Sequence, residues 1–246
     1  MISQDRPRER LVRLGPRALL DAELLELLIG AGTKGAPAPA VSASKAAATA
    51  GAGTKGEDFI VATQVASTHD YILFFTNQGR VYRQKVHEIP SAARDARGRH
   101  IANVLALLPD EEIRQVFNTR DYGEGKYLVL ATKAGMVKKT EFSAYNTVLK
   151  DAGIIAIRLT DGDELVGVQL TDGEADLLIV SARGQAARFA EEQVRATGRG
   201  TQGVRAMNLD KGDRVLAIAV ADDDADLLVV TGNGYGKRTA LTEYPR

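Results

Sequence analysis

From Asp58 onward the chain alternates short runs rich in Val, Ile and Leu with turns rich in Gly and Asp. That is the pattern of strands, and no segment sustains a helical period apart from Ala190 to Val194. One stretch recurs. Tyr71 begins YILFFTNQGRVYR, Tyr127 begins YLVLATKAGMVKK, Leu177 begins LLIVSARGQAAR and Leu227 begins LLVVTGNGYGKR. Each copy joins an apolar run to a Ser/Thr-x-x-Gly element, with a cation four residues beyond the glycine (Arg83, Lys139, Arg188, Arg238). The glycines Gly79, Gly135, Gly184 and Gly234 stand 56, 49 and 50 residues apart. The element predicts a tight hairpin with Gly at positive φ.

Each repeat also has a second half. A glycine (Gly98, Gly153, Gly203) precedes a predicted strand (Ile101–Leu107, Ile154–Leu159, Val204–Leu209). An acidic turn and a further strand, starting at Ile113, Leu165 or Val215, complete the unit. Four strands per unit of this length describe the blade of a propeller-like array.

The N-terminal part is different. Residues 1–34 predict short helices: Asp5 caps one entered through Pro7 and ended by Gly15-Pro16, and Asp21 caps a second, Ala22 to Ile29, ended by Gly30. Residues 35–57 are dominated by Ala, Pro, Ser and Gly and predict a linker. The hexapeptide GAGTKG brackets that stretch at Gly30–Gly35 and Gly51–Gly56, as expected of two coding segments joined at a short duplication.

Composition narrows the chemistry. The 246 residues contain no cysteine, which excludes disulfides, thiolate metal sites and Cys nucleophiles. No apolar run is long enough to span a membrane, and MISQDRPRERL lacks an apolar signal-peptide centre, so a cytoplasmic, nucleoid-associated location is expected. G-x-G-x-x-G occurs at Gly30, Gly51 and Gly198, but none follows a strand and opens a helix, so no dinucleotide cofactor is expected. His69, His87 and His100 are too scattered for a metal, and turn chemistry accounts for Asp161, Asp163 and Glu164. No nucleophile, base and orienting group stand together, so the chain is expected not to be an enzyme by itself.

The net charge is zero, so any basic surface must come from sorting charges by face. Acidic clusters DYGEG, DGEAD and ADDDAD precede the first strands, and the cations follow the hairpins. The cations are expected at the far end of that strand, about 20 Å from the acidic groups. That exceeds a Debye length of about 8 Å, and a basic edge would survive. The candidate phosphate contacts are Arg80, Arg83, Lys85, Arg94, Arg97 and Arg99, then Lys138, Lys139 and Lys150, then Arg183, Arg188, Arg195 and Arg199, and finally Lys237 and Arg238. The competing reading is that these cations protect strand edges against aggregation. Aromatic residues make up only 5% of the chain, with no Trp, which favours duplex over stacked single strands.

The stretches DFIVATQVASTHDYILFFTNQGRVYRQKVHEIP, ARDARGRHIANVLAL, DGDELVGVQLT, GTQGVRAMNL and NGYGKRTALTEYP resemble the C-terminal domain of the DNA gyrase A family over residues 58–246. The resemblance implies a mainly β fold: a partial β-pinwheel of four-stranded blades with about three complete repeats, preceded by a short α-helical segment. It implies duplex DNA as partner, bound and bent on the outer edge. An open three-blade arc leaves unpaired strands at both ends, so other gyrase subunits, self-association through open blade edges or the missing blades are expected to complete it. The family's first-blade heptapeptide Gln-Arg-Arg-Gly-Gly-Lys-Gly is absent; ARDARGR and RATGRGTQG are its degenerate counterparts. The alternative is a non-catalytic protein-interaction or inert β-array that has lost DNA wrapping. RPRERLVRLGPRALLDAELLELLIGAGTKG resembles the N-terminal helical region of the RadC family, from which no activity carries over.

Overall fold

The computed structural model describes residues 64–92, 98–123, 126–148 and 152–246. The expected N-terminal helices and the linker lie outside these residues. Three hairpins carry the body: β1 (Tyr71–Thr76) with β2 (Arg80–Lys85), β4 (Tyr127–Thr132) with β5 (Met136–Glu141), and β8 (Asp176–Ser181) with β9 (Ala186–Ala190). Each receives a third, antiparallel strand against its first: β3 (Ile113–Thr119) on β1, β7 (Leu165–Thr171) on β4, and β11 (Val215–Ala221) on β8. The hairpin glycines Gly79, Gly135, Gly184 and Gly234 all take positive φ, as the Ser/Thr-x-x-Gly element requires.

The first strands are apolar at successive positions because they are covered on both faces. Ile72 and Phe74 face one core with Tyr82 and Leu105, while Leu73 and Phe75 face the next. Leu128 and Leu130 close that second core from the other side, and Val129 and Ala131 turn into a third with Leu177 and Ile179. Leu178 then faces Ala221 and Leu241. Period-two side chains thus let each of these three sheets contribute to two cores, and the middle sheet joins the other two. Burying each Leu or Phe contributes about 1.5–3 kcal/mol.

The fourth strand of a sheet comes from the following repeat. β6 (Ile154–Ile155) adds to β2, giving the order β3-β1-β2-β6, and β10 (Val204–Arg205) adds to β5, giving β10-β5-β4-β7. The backbone N–H groups of Ala156 and Ile157 donate to the Gly79 carbonyl, and those of Ala206 and Met207 to the Gly135 carbonyl. The expected strands at Ile154 and Val204 are therefore real but only two residues long, and they belong to the preceding sheet. The expected strand over Ile101–Leu107 is not formed. A 3-10 turn, Ile101–Asn103, stands in its place, with His100 Nδ1 accepting from Ala102 N at 3.2 Å, and Leu105 fills the first core. No described hairpin precedes β1, so this segment has no sheet edge to join.

The third sheet has the order β11-β8-β9 and carries no fourth strand on β9 among the described residues. β12 (Asp226–Val230) and β13 (Gly236–Ala240) pair as a two-stranded hairpin. Its tip, Leu228–Arg238, falls in a different compact unit from the body, which comprises Gln64–Pro90, Arg99–Leu227 and Thr239–Arg246. Within the body β3, β7 and β11 pack on one another, so β6 and β10 occupy the opposite sheet edges. The helical period read at Ala190–Val194 resolves into a 3-10 turn, Glu191–Gln193.

Candidate nucleic-acid interface

An antiparallel hairpin doubles back, and this decides where the repeated cation goes. Arg83 pairs across the ladder with Leu73, Lys139 with Val129 and Arg188 with Leu178, each two residues from the start of the first strand. The cations therefore share the acidic end of the strand, which corrects the expected separation of charges. Arg188 binds Asp176 Oδ2 at 2.7 Å and Asp223 Oδ1 at 2.7 Å, with only 7% of its side chain exposed. Lys139 is equally buried, 3.1 Å from Glu191 Oε1 and 4.2 Å from the Tyr127 ring centroid. Arg83 stacks 4.6 Å from the Tyr71 ring and donates to Asn146 Oδ1 at 3.1 Å and to the Thr147 carbonyl.

Each of these three cations reaches the turn that follows the next hairpin: Asn146 and Thr147 for Arg83, Glu191 for Lys139, and the Leu241 carbonyl, 3.1 Å away, for Arg188. They staple one repeat to the next and do not line an outer edge. Sequence reasoning missed the acceptors. Glu191 is fully buried, taking hydrogen bonds from Thr171 Oγ1 at 2.6 Å and Ala175 N at 3.3 Å, and only the long-range fold reveals it.

The Asp176 cluster is sensitive to acid. The hydrogen bond from Arg246, and then that from Arg188, hold the Asp176 carboxyl below its ordinary range despite burial. A depressed carboxyl stabilises the fold above its unfolded pKa of about 4, and that contribution is lost as pH falls through the folded value. Asp176→Asn is expected to lower the urea midpoint at neutral pH and to flatten its fall as the pH drops below about 4. An unchanged acid limb would show that the cluster does not titrate with unfolding.

The remaining candidates divide. Lys138 is buried, with 1% of its surface exposed, so it is not an outer-edge contact either. Arg80 is half-buried and donates to the Ala152 carbonyl, and Lys85 lies 3.9 Å from Glu88. Arg183, in the β8–β9 turn, is exposed and donates to the Lys211 carbonyl at 3.2 Å. Arg99 and Arg195 are exposed and Arg199 is half-buried. Lys237 and Arg238 are exposed on the last hairpin. Arg94, Arg97 and Lys150 lie outside the described residues.

A basic edge is nevertheless present, in a different place. The chain from Arg195 to Arg205 runs along the outer side of β5: Ala196 bridges to Lys139, Thr197 N donates to the Lys139 carbonyl at 2.9 Å, and Arg205 pairs with Met136. Between these contacts lies the glycine-rich loop Gly198–Gly203, whose Thr201 carbonyl accepts from Arg158 N at 3.0 Å and whose Gly203 packs against Val137. Arg158 follows β6 and is exposed, as is Arg205. Arg158, Arg195, Arg199 and Arg205, drawn from two repeats, thus gather around one loop. Arg158 and Arg205 were not among the sequence candidates, since the exchange of strands between repeats is what brings them there. Cβ atoms at Gly198 and Gly200 would meet nothing within 4 Å, leaving the loop backbone open to an approaching group.

Among the described residues no cluster of His, Cys, Asp or Glu is placed to hold a metal, and no helix is long and apolar enough to cross a membrane.

A family model described as DNA gyrase C-terminal domain, beta-propeller, matches residues 70–120, 126–172, 175–222 and 225–246. A second, UPF0758 N-terminal, which is RadC-like, matches residues 1–59 and so runs through the stretch read as linker. The chain is 50% identical over 197 residues to the DNA gyrase A polypeptide of Mycobacterium leprae, covering 79% of this chain and 15% of that protein. It is 48% identical over 191 residues to the DNA gyrase A polypeptide of Escherichia coli K12, covering 78% and 22%. It therefore spans less than a quarter of these relatives. Among solved structures, the C-terminal domain of DNA topoisomerase IV superposes with a TM-score of 0.73 at 33% identity, over 83% of this chain and 64% of that one. The DNA gyrase A C-terminal domain gives 0.61 at 31% identity, over 73% and 57%.

Proposed function

Because the chain belongs to the DNA gyrase C-terminal beta-propeller family, we propose that it binds and bends duplex DNA on the sheet edge built by exchanged strands, without performing catalysis itself. The observation that carries this reading is the convergence of Arg158, Arg195, Arg199 and Arg205 around the open loop Gly198–Gly203. Guanidinium groups there meet phosphates and leave base edges unread, so binding is tolerant of sequence. Arg99 and Arg183, both exposed, extend the contact. The stapling cations Arg83, Lys139 and Arg188, and the buried Lys138, support the edge from within. The open side of β9 is where a further blade or a gyrase partner docks.

The test is electrophoretic mobility shift with linear duplex at two salt concentrations. The four loop arginines alone imply a loss of at least about a hundredfold in affinity between about 50 mM and about 200 mM salt. Reversing Arg158, Arg195, Arg199 and Arg205 to Glu is expected to abolish the shift. Binding indifferent to salt, or unaffected by the reversal, overturns the assignment and favours the protein-interaction reading.

A further inference from the structure

We propose that Lys138 is the positioning residue of the DNA edge: its buried ammonium clamps the loop that carries Arg199, and its charge adds to the field that the loop presents to phosphate. The inference rests on the DNA reading of that edge. Lys138 and Lys139 are adjacent on β5, so their side chains leave opposite faces of the sheet. Lys139 finds the carboxylate of Glu191. Lys138 instead donates to two carbonyls, Ala156 at 2.6 Å and Arg199, and among the described residues no carboxylate lies within ion-pair distance. It therefore ties three parts of the chain together: its own hairpin, the segment following the exchanged β6, and the glycine-rich loop of the next repeat.

A buried ammonium without a counter-carboxylate is costly to keep. An apolar residue would fill the same position among Leu128, Leu130 and Ala156 without that cost. What the ammonium supplies is a fixed carbonyl at Arg199 and a positive charge beneath the loop that no described carboxylate neutralises. Burial, and then the charge of Arg199, lower the Lys138 ammonium to about 8. Arg199 is the charged group whose field reaches it. Tyr145, from the turn Phe142–Tyr145, shares the neighbouring core and is pushed upward by burial, so it stays neutral over this range. Phosphate at the loop favours protonated Lys138, so binding takes up a proton as pH passes through about 8.

Lys138→Met removes the charge and both hydrogen bonds while keeping the length of the side chain. It is expected to weaken duplex binding about three- to tenfold at pH 7, and to weaken it further in an Arg199→Ala background, where the clamped carbonyl and the buried charge both remain. Wild-type affinity is expected to fall by up to about tenfold from pH 7 to 9.5, corresponding to about one unit of coupling, while Lys138→Met shows no such step. Hydrogen exchange at the amides of Gly198–Gly203 is expected to quicken in the variant, with or without DNA. A flat wild-type pH profile, equal loss at every pH, or unchanged exchange in the loop overturns the proposal; the first needs no variant to fold. If the wild type binds no duplex at low salt, the DNA reading fails, and the exchange measurement still decides whether Lys138 clamps the loop.

Discussion

Replacing Glu191 by alanine is expected to destabilise the chain by about 3–5 kcal/mol, a large part of the stability of an ordinary domain. The carboxylate is fully buried and holds three groups at once: the Lys139 ammonium at 3.1 Å, the Thr171 hydroxyl at 2.6 Å and the Ala175 amide. Its removal leaves the Lys139 ammonium, whose side chain is only 7% exposed, with no described carboxylate and only the Gly173 carbonyl at 3.4 Å, and leaves the Ala175 amide without its acceptor. The damage falls on the seam between two repeats, because Lys139 belongs to the second hairpin and Glu191 follows the third. Chemical denaturation of Glu191→Ala should show a much lower midpoint, or two transitions where the wild type has one. The double variant Lys139→Met with Glu191→Leu should recover much of the loss, since a buried pair is often replaceable by apolar groups of similar size. A midpoint close to wild type for Glu191→Ala would mean that the seam is held by its apolar contacts alone.

Gly135→Ala is expected to cost about 1–2 kcal/mol for the left-handed backbone and about 1–3 kcal/mol more for overpacking. Gly135 has φ +84°, and an added Cβ would stand 2.8 Å from the Met207 carbonyl oxygen of the exchanged segment. Gly184 offers the matched control. Its φ is +88°, yet a Cβ there would meet nothing within 4 Å, because no exchanged strand lies against the third hairpin among the described residues. Gly184→Ala should therefore show the conformational cost alone. Thermal or urea midpoints of the two variants compare the same substitution in the same turn, with and without a neighbouring repeat. Equal losses would show that strand exchange contributes little at this point.

These two expectations also mark how much was legible beforehand. The hairpin glycines were readable because Ser/Thr-x-x-Gly is local chemistry: positive φ is needed within four residues, and glycine supplies it. The strands were readable for the same reason, as was the resemblance that placed them in a pinwheel. The cations were misplaced because counting along one strand ignores the return of the next. Arg188 stands beside Asp176 by virtue of cross-strand register, which joins residues twelve apart in sequence. Arg158 and Arg205 escaped notice because one follows and the other ends a two-residue strand whose hydrogen-bonding partners lie in the preceding repeat.

The amino-acid order alone determined the repeating unit, its hairpins and its doubly covered apolar strands, since propensity, turn chemistry and period-two patterning act within a few residues. Only the tertiary structure decided which cations are consumed as staples and which are left at the surface. That choice depends on register and strand exchange between repeats, where the acceptor that each staple reaches in the next repeat lies 52 to 64 residues away and is set by the packing of whole sheets.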